Sequence, residues 1–328
     1  MPATKTASLY DAVESLEFYE DRYKKGYMND WPAEKKRKVF EVIRDLPLPE
    51  TGDALDFGCG MGIFTDIIRQ ALPGWNLYGT DLSQVAVDTA LERFDQCTFF
   101  APDDPAFSGK RFDFAFSHHV FEHVFDLQEV FDELNGWLKP QASMLHFLPC
   151  GNEGSLEHRL CKLRVDGIDA KLENRFFFED EGHVRRLTTD QFSELCDSAG
   201  FTLQREYYSN HHDGAIEWIT NSSPKLILEI CDPSHAVDSD AASELAKMKR
   251  YLLSVNLLRL PSQVVHRFSM KKYKKLQHYA MYACALPLFV FSQPIDKRWK
   301  SKAREEWENN RHERNGSEMC LYYERDGR

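Results

Sequence analysis

The sequence predicts an α/β fold built on a parallel sheet covered on both faces. Short apolar runs alternate with helical stretches from residue 54 to residue 149, a glycine-rich loop follows the first run directly, and an acid stands at the end of each of the first two runs. Alternation of this kind gives a parallel sheet, because each crossover lays a helix against one face.

Residues 7–45 read as two helices broken near "NDWPAE", where Pro32 suits a first helical turn. The runs "ALDF" (54–57), "NLYGT" (76–80), "CTFFA" (97–101), "FDFAFS" (112–117) and "MLHFLP" (144–149) read as strands, with helices over 62–72, 84–94 and 127–138. Residues 151–187 form a long polar connection, and such a loop inside a compact domain is usually functional. "LTTDQFSELCDSAGF" reads as a helix opened by a Thr cap and closed by Gly200, and "FTLQREYYS" as the strand after it. Over 241–259, Leu245, Met248, Leu252, Val255 and Leu258 mark one stripe of an amphipathic helix. The strand pattern "EMCLYYER" then returns to the main sheet. The expected organisation is N-terminal helices forming a cofactor lid (1–45), a core (46–214), a helical basic insertion (215–313) and a last core strand (314–328).

With 42% hydrophobic and 28% charged residues in 328, the composition excludes disordered, collagenous and disulfide-scaffold classes. The eight cysteines include no C-x-x-C pair, and "MPATKTASLYDAVESLEF" has no apolar signal core; a reduced cytoplasmic compartment is expected. Charge is unevenly spread. Residues 1–220 hold 22 basic against 39 acidic side chains, whereas 221–328 hold 19 against 13. Within 247–304 there are 14 basic residues and one acid, Asp296, so an acidic body carries a basic appendage.

A strand, a glycine turn and a helix make a nucleotide-binding start, since the turn brings backbone close to a ligand and the helix N-terminus attracts negative charge. The dinucleotide fingerprint G-x-G-x-x-G fails at Ile63, which argues against an NAD-dependent oxidoreductase. Asp56, Gly58, Gly60 and Gly62 alternate instead, with Cys59 inside the loop. A carboxylate at Asp56 can receive an ammonium group, which the methionine half of S-adenosylmethionine offers. Asp81, 23 residues after Gly58, can accept both ribose hydroxyls, and Leu82 would lie against the adenine.

Together, "LDFGCGMG", "GTDLS", "FDFAFSHHVFEHV", "LKPQASMLHFLP" and "GHVRRLTTDQFSELCDSAGF" cover roughly 50–205. On these motifs the sequence resembles the class I S-adenosylmethionine-dependent methyltransferases, most of all the branch related to quinone- and biotin-pathway enzymes. "LKPQA" departs from the family's LKPGG and reshapes a turn. The resemblance implies a Rossmann-like seven-stranded sheet whose last strand is antiparallel, and S-adenosylhomocysteine as product. It also implies Asp103 or Asp104 at the adenine amino group, Ser117 and His118 along the cofactor, and His123 at the family's "EH" position.

Transfer from a sulfonium is an in-line displacement, so alignment and exclusion of water dominate, and a hydroxyl acceptor gains from a base. His183 is the first candidate for that polar role, followed by His119 and Glu122. Glu157, His158, Arg185, His211 and His212 are candidates for the acceptor side. "NHHDG" offers consecutive side chains that diverge, so no metal site is expected. The expected reaction is O-methylation of a small molecule, a sugar or a lipid-linked glycan. N- or C-methylation of a natural-product or quinone-like metabolite, and cofactor binding without turnover, are the rivals.

The basic segment 267–304 encloses an apolar run, Tyr279 to Phe291, with Pro287 inside it, too short to cross a bilayer. Three readings stand. The run packs on the domain or on a second subunit of a homodimer; it lies on an anionic membrane surface, placing the protein peripherally at the inner face near a lipid-linked acceptor; or its basic face binds an anionic substrate. The acidic body argues against nucleic acid.

Overall fold

The computed structural model describes residues 12–270 and 275–325. Nine strands are formed: β1 (Gly52–Phe57), β2 (Trp75–Thr80), β3 (Thr98–Phe100), β4 (Phe112–His118), β5 (Leu138–Pro149), β6 (Ile168–Asp169), β7 (Arg175–Phe176), β8 (Phe201–Ser209) and β9 (Glu318–Arg325). Seven of them make one sheet in the order β3-β2-β1-β4-β5-β9-β8. β9 runs antiparallel to both β5 and β8. The antiparallel last strand and the helical insertion before it are therefore both present.

The strands read as continuous apolar runs because both faces are covered. In β4, Phe114, Ala115 and Phe116 are all fully buried. One face packs against α2 (Ala33–Arg44) and α3 (Ile63–Ala71) through Val39, Ile43, Phe64 and Ile68. The other packs against α5 (Leu127–Gly136) and α7 (Thr189–Ser198) through Phe131, Leu134, Phe192 and Cys196. α1 (Ala12–Lys24) precedes this layer, and α4 (Gln84–Arg93) and α6 (Leu156–Lys162) complete the core helices. Thr188 and Gln191 form a reciprocal capping box that starts α7, and Gly200 closes it at φ +79°.

Residues 151–187 are more ordered than a polar loop. They contain α6 and the hairpin β6–β7, because two buried arginines give the segment a core of its own. Arg164 and Arg186 lie 3.9 Å over the rings of Phe177 and Phe176.

Between β8 and β9 the chain inserts α8 (Asp213–Asn221), α9 (Pro224–Ile230), α10 (Ser239–Ser269), α11 (Leu276–Ala285) and α12 (Phe289–Asn310). Leu245, Leu252, Ile216, Ile219, Ile227 and Ile230 form its core, joined by Leu156 and Leu160 of α6. α10 runs ten residues past its expected end, through Pro261. The next amide, on Ser262, donates outside the helix to Ser292 Oγ at 3.0 Å, which accommodates the interruption. Leu258 departs from the expected stripe and is exposed.

Arg259 holds α10 to its neighbours. Its guanidinium is fully buried and bonds Asp296 Oδ1 (2.9 Å), Thr220 Oγ1 (2.6 Å) and Glu217 Oε1 (2.6 Å). Arg259→Met removes the centre of this cluster while Lys300 still reaches Asp296 at 2.7 Å. The expected loss, read by urea unfolding, is about 3 kcal/mol, the lower end for breaking a buried ion pair; a loss below about 1 kcal/mol would show the cluster to be solvated.

Candidate cofactor and acceptor site

The strand order reverses between β1 and β4, which opens a crevice at the carboxyl ends of these strands. On one side lies the glycine loop. Gly58, Gly60 and Gly62 have φ of +74°, +51° and +77°, and a Cβ on Gly58 would meet Val120 Cγ2 at 2.4 Å. Asp56 anchors the loop from below, accepting the Thr65 hydroxyl at 2.6 Å, and burial still pushes its pKa up to about 7. Burial pushes the Cys59 thiol far above its usual range, which leaves it no thiolate for nucleophilic work.

Asp81 accepts the backbone N–H groups of Gly60 (2.8 Å) and Ser83 (3.0 Å). Burial raises its pKa against those two bonds, and no ion pair offsets it among the described residues. Each oxygen keeps acceptor capacity. Leu82 beside it is 74% exposed, an apolar face waiting for a cover. α1 passes over this corner: Glu20 accepts from Ser83 Oγ at 2.9 Å, and the Tyr23 hydroxyl lies 3.1 Å from where a Gly60 Cβ would stand. A carboxylate with spare lone pairs, backbone free of Cβ and an exposed leucine fit the adenosine half of S-adenosylmethionine. Asp104 spends one oxygen capping the Ala106 amide, while Asp103 is exposed. Both line an open cavity of about 520 Å³ that extends to Lys110 and Arg111 at the opposite end of β4.

The other side of the crevice is made by 117–123. Ser117 lies within the sheet, fully buried, and bonds His146 Nδ1 at 2.7 Å. His118 stacks on Phe64 (4.0 Å between centroids) and meets Trp31 edge-on (4.7 Å), and neither ring nitrogen has a hydrogen-bond partner among the described residues. Burial pulls its pKa far down, so it is neutral. His119 is held in the left-handed region at φ +56°, a conformation unusual for a residue with a side chain and one that clusters at functional sites.

His119 is the centre of a charged group that draws on three distant segments. Its Nδ1 lies 2.6 Å from Glu122 Oε1, and its Nε2 lies 3.0 Å from Glu318 Oε1 and 3.5 Å from Lys35 Nζ. Lys35 is ion-paired with Glu318, and the Ser209 hydroxyl donates to Glu318 Oε2 at 2.7 Å. Burial alone would raise Glu122, yet the imidazoles of His119, His123 and His183 bring it down to about 2. Burial pulls Lys35 down to about 7 and also lowers His119, against the pull of Glu122. Glu122 is a carboxylate and His119 a neutral imidazole at neutral pH.

His123 and His183 meet edge-on at 4.7 Å. His123 Nδ1 lies 2.7 Å from the Tyr19 hydroxyl and 3.1 Å from the Gly182 carbonyl, and His183 Nδ1 lies 3.0 Å from Glu179 Oε2. Arg22 of α1 grips Asp180 with two bonds of 2.6 and 2.7 Å. The first helix is thereby fastened over both halves of the crevice. Two groups, His118–His119–Glu318 and Glu122–His123–His183, each bring three potential metal-donor atoms within 4.8 Å of one another.

The remaining candidates are committed to protein partners outside this cluster. Glu157 accepts from Trp218 Nε1 (2.8 Å) and Ser317 Oγ (2.5 Å), and His158 Nδ1 lies 3.4 Å from the Gly154 amide. Arg185 donates to the carbonyls of Val124 (2.5 Å) and Phe125 (3.0 Å). His211 lies between Asn315 Oδ1 (2.6 Å) and the Tyr208 carbonyl (3.1 Å), and His212 pairs with Asp213 at the surface. Lys35, Glu318, Tyr19, Tyr23 and Glu179 were not singled out from the sequence. Lys35 is one of several cations in "AEKKRK", and only Glu318, first in the last strand, carried a positional signal.

Burial opposes a charge on His183, but the Glu179 bond and the charges of Glu122, Glu179 and Asp180 outweigh it and raise its pKa. A raised folded pKa stabilises the fold fully below the unfolded value of about 6.5 and loses that effect as pH rises through the folded pKa. His183→Gln should therefore cost more stability at pH 6 than at pH 8, measured by urea unfolding; an equal cost at both would place the histidine outside the charge network. Asp81→Asn keeps an oxygen for the loop amides and removes the charge. Titration calorimetry should show S-adenosylmethionine binding about 10- to 100-fold weaker, the equivalent of one charge-assisted bond; unchanged affinity would remove Asp81 from the site.

A family model described as a methyltransferase domain matches residues 32–206, just over half of the chain. Trans-aconitate 2-methyltransferase of Variovorax paradoxus (strain S110) is 29% identical over 150 residues, which are 41% of this chain and 56% of that protein. The match thus spans little more than half the length of that relative. The protein of the same name from Escherichia coli O157:H7 is 26% identical over 207 residues, 59% of this chain and 79% of that one. Among solved structures, the plantazolicin methyltransferase BpumL is 14% identical with a TM-score of 0.47, over 98% of this chain and 96% of that one. With the glycine loop, Asp81 and the matched domain in register, the chain belongs to the class I S-adenosylmethionine-dependent methyltransferases.

Proposed function

We propose that the chain methylates an oxygen of a small-molecule or sugar acceptor, a lipid-linked glycan hydroxyl included, with His119 as the base. The observation that carries this reading is the His119–Glu122 pair, 2.6 Å apart at the end of β4 with Glu122 buried. S-adenosylmethionine supplies the methyl group on its sulfonium. Glu122 accepts the Nδ1 proton as a hydrogen bond and fixes the tautomer, which leaves the Nε2 lone pair turned toward Lys35 and Glu318, 3.5 and 3.0 Å away, where the acceptor hydroxyl would enter. A hydroxyl proton taken there produces an imidazolium between two carboxylates, Glu122 and Glu318. That flanking charge supports the protonated state which the neutral buried ring avoids. Lys35 stands 3.5 Å from Nε2, where it favours negative charge developing on the acceptor oxygen.

Lys35 also favours a second reading, in which the acceptor is itself a carboxylate. Such an oxygen needs no base, and the ammonium would bind it directly. The relatives named for trans-aconitate make this class of acceptor worth including in a substrate panel.

Transfer from methyl-labelled S-adenosylmethionine to that panel tests both readings. With a hydroxyl acceptor, His119→Gln should lower kcat by about 10²- to 10⁴-fold, the usual contribution of a positioned base, with cofactor affinity unchanged. With a carboxylate acceptor, kcat/KM should instead fall as pH rises through about 7, where Lys35 loses its charge. Full activity of both His119→Gln and Lys35→Met would overturn the assignment of the acceptor to this cluster.

A further inference from the structure

α11 and the start of α12 follow one another along α10 as a single arm, and its outer side exposes large apolar side chains. Leu276 is 87% exposed, Phe291 75%, Val290 71%, Tyr279 55% and Leu288 53%. Of these side chains, Tyr279 meets Phe268 of α10 edge-on at 5.0 Å and keeps half of its surface in water. Aromatic contacts brace α11 from behind, with Tyr282 stacked on Phe268 of α10 at 4.3 Å. Monomeric domains seldom expose such runs without a partner.

Charge identifies the partner. The only acid in 247–304 is Asp296. It is 4% exposed and neutralised by Arg259 and Lys300. Every charge that the described part of this stretch offers to solvent is therefore positive, with Lys275 exposed at the start of the arm and Lys297 and Arg298 exposed further along it. A second copy docked face to face would set these cations against their own images, which is repulsive. Leu276, Leu288 and Val290 are aliphatic, and the stacked bases and phosphates of a nucleic acid offer them no hydrocarbon to enter. Apolar side chains flanked by cations match a surface that is negative outside and hydrocarbon beneath. None of the described helices is long and apolar enough to cross a membrane, so the contact would be interfacial.

We infer that the outer side of α11 and the start of α12 docks the protein on an anionic lipid surface. Phe291, Val290 and Leu288 enter the boundary between headgroups and acyl chains, and Lys275, Lys297 and Arg298 bind headgroup phosphates. The inference rests on this surface alone and not on the acceptor chemistry.

Cys284 lies in the same stretch and is exposed, whereas the other seven cysteines are buried, so one thiol can carry a polarity-sensitive fluorophore. The full chain labelled there is mixed, without S-adenosylmethionine, with vesicles of phosphatidylcholine alone or with added phosphatidylglycerol. Docking predicts a blue shift and co-sedimentation with the anionic vesicles only, both weakened by salt. V290E/F291E should lower the bound fraction at least about tenfold while leaving the melting temperature and cofactor affinity unchanged, since both side chains are already in water. K297E/R298E should do the same. No binding to anionic vesicles, equal binding to neutral ones, or a label buried by dimerisation at the same concentration would overturn the proposal. Because no methyl transfer is measured, each of those results leaves the reaction assignment as it stood.

Discussion

A charge taken out of water is tolerable only beside an opposite one, and the architecture of the crevice follows from that requirement. Lys35, His119, Glu122 and Glu318 come from α2, the end of β4 and the start of β9. None of Lys35, Glu122 and Glu318 could be buried alone without losing its charge, and the neutral His119 bridges the two carboxylates. Bringing all four together fixes where the N-terminal helix lies, how the chain leaves β4 and where the last strand begins. A second group does the same for the lid. Arg22 on Asp180, Tyr19 on His123 and Arg186 on Glu179 fasten α1 and the long connection to one another. The acceptor side of the crevice is thus polar and paired, and the cofactor side is backbone, glycine and one carboxylate.

That difference explains what the sequence made legible. The cofactor half is local: Asp56 to Gly62 and Asp81 with Leu82 are two short stretches whose spacing carries the geometry. Strand positions were equally readable, because buried parallel strands are plain apolar runs, and "EMCLYYER" announced its return to the sheet. The acceptor half is non-local. Lys35 looks like its neighbours Lys36 and Lys38 until α2 is laid against β9. Conversely, Arg185, His158 and His211 carry suggestive chemistry, yet each is spent on a nearby carbonyl, amide or side chain. A polar residue in a loop does not disclose whether the backbone around it needs a partner. Glu306 makes the point from the other side: it lies in an unremarked helix, yet it accepts the amides of His211, His212, Asp213 and Gly214 at 2.5–3.1 Å and caps α8.

The division of charge now has a spatial meaning. Phe291 and Glu306 are fifteen residues apart on α12, about 22 Å at 1.5 Å per residue. Glu306 holds the start of α8 just after β8, so the exposed apolar part of the arm lies along α12 away from the sheet, whose half of the sequence carries the excess of acid. An anionic surface attracts one end of such a molecule and repels the other, which orients it before any contact is made.

The place of β9 in the sheet has a consequence in time. It fills the slot between β5 and β8, and Glu318 at its start completes the charged group around His119. During synthesis β5 and, some fifty residues later, β8 leave the ribosome with an empty lane between them, and roughly a hundred residues of helices follow before that lane can be filled. At about 5–20 residues per second the wait is on the order of 5–20 s. Over that interval two strand edges are unpaired, and Lys35 has no Glu318 to pair with. The helical insertion, rich in local contacts, can fold within that interval and bring its two ends together. A nascent chain therefore holds the glycine loop and Asp81 well before it possesses the charged group around His119, which Glu318 of β9 completes.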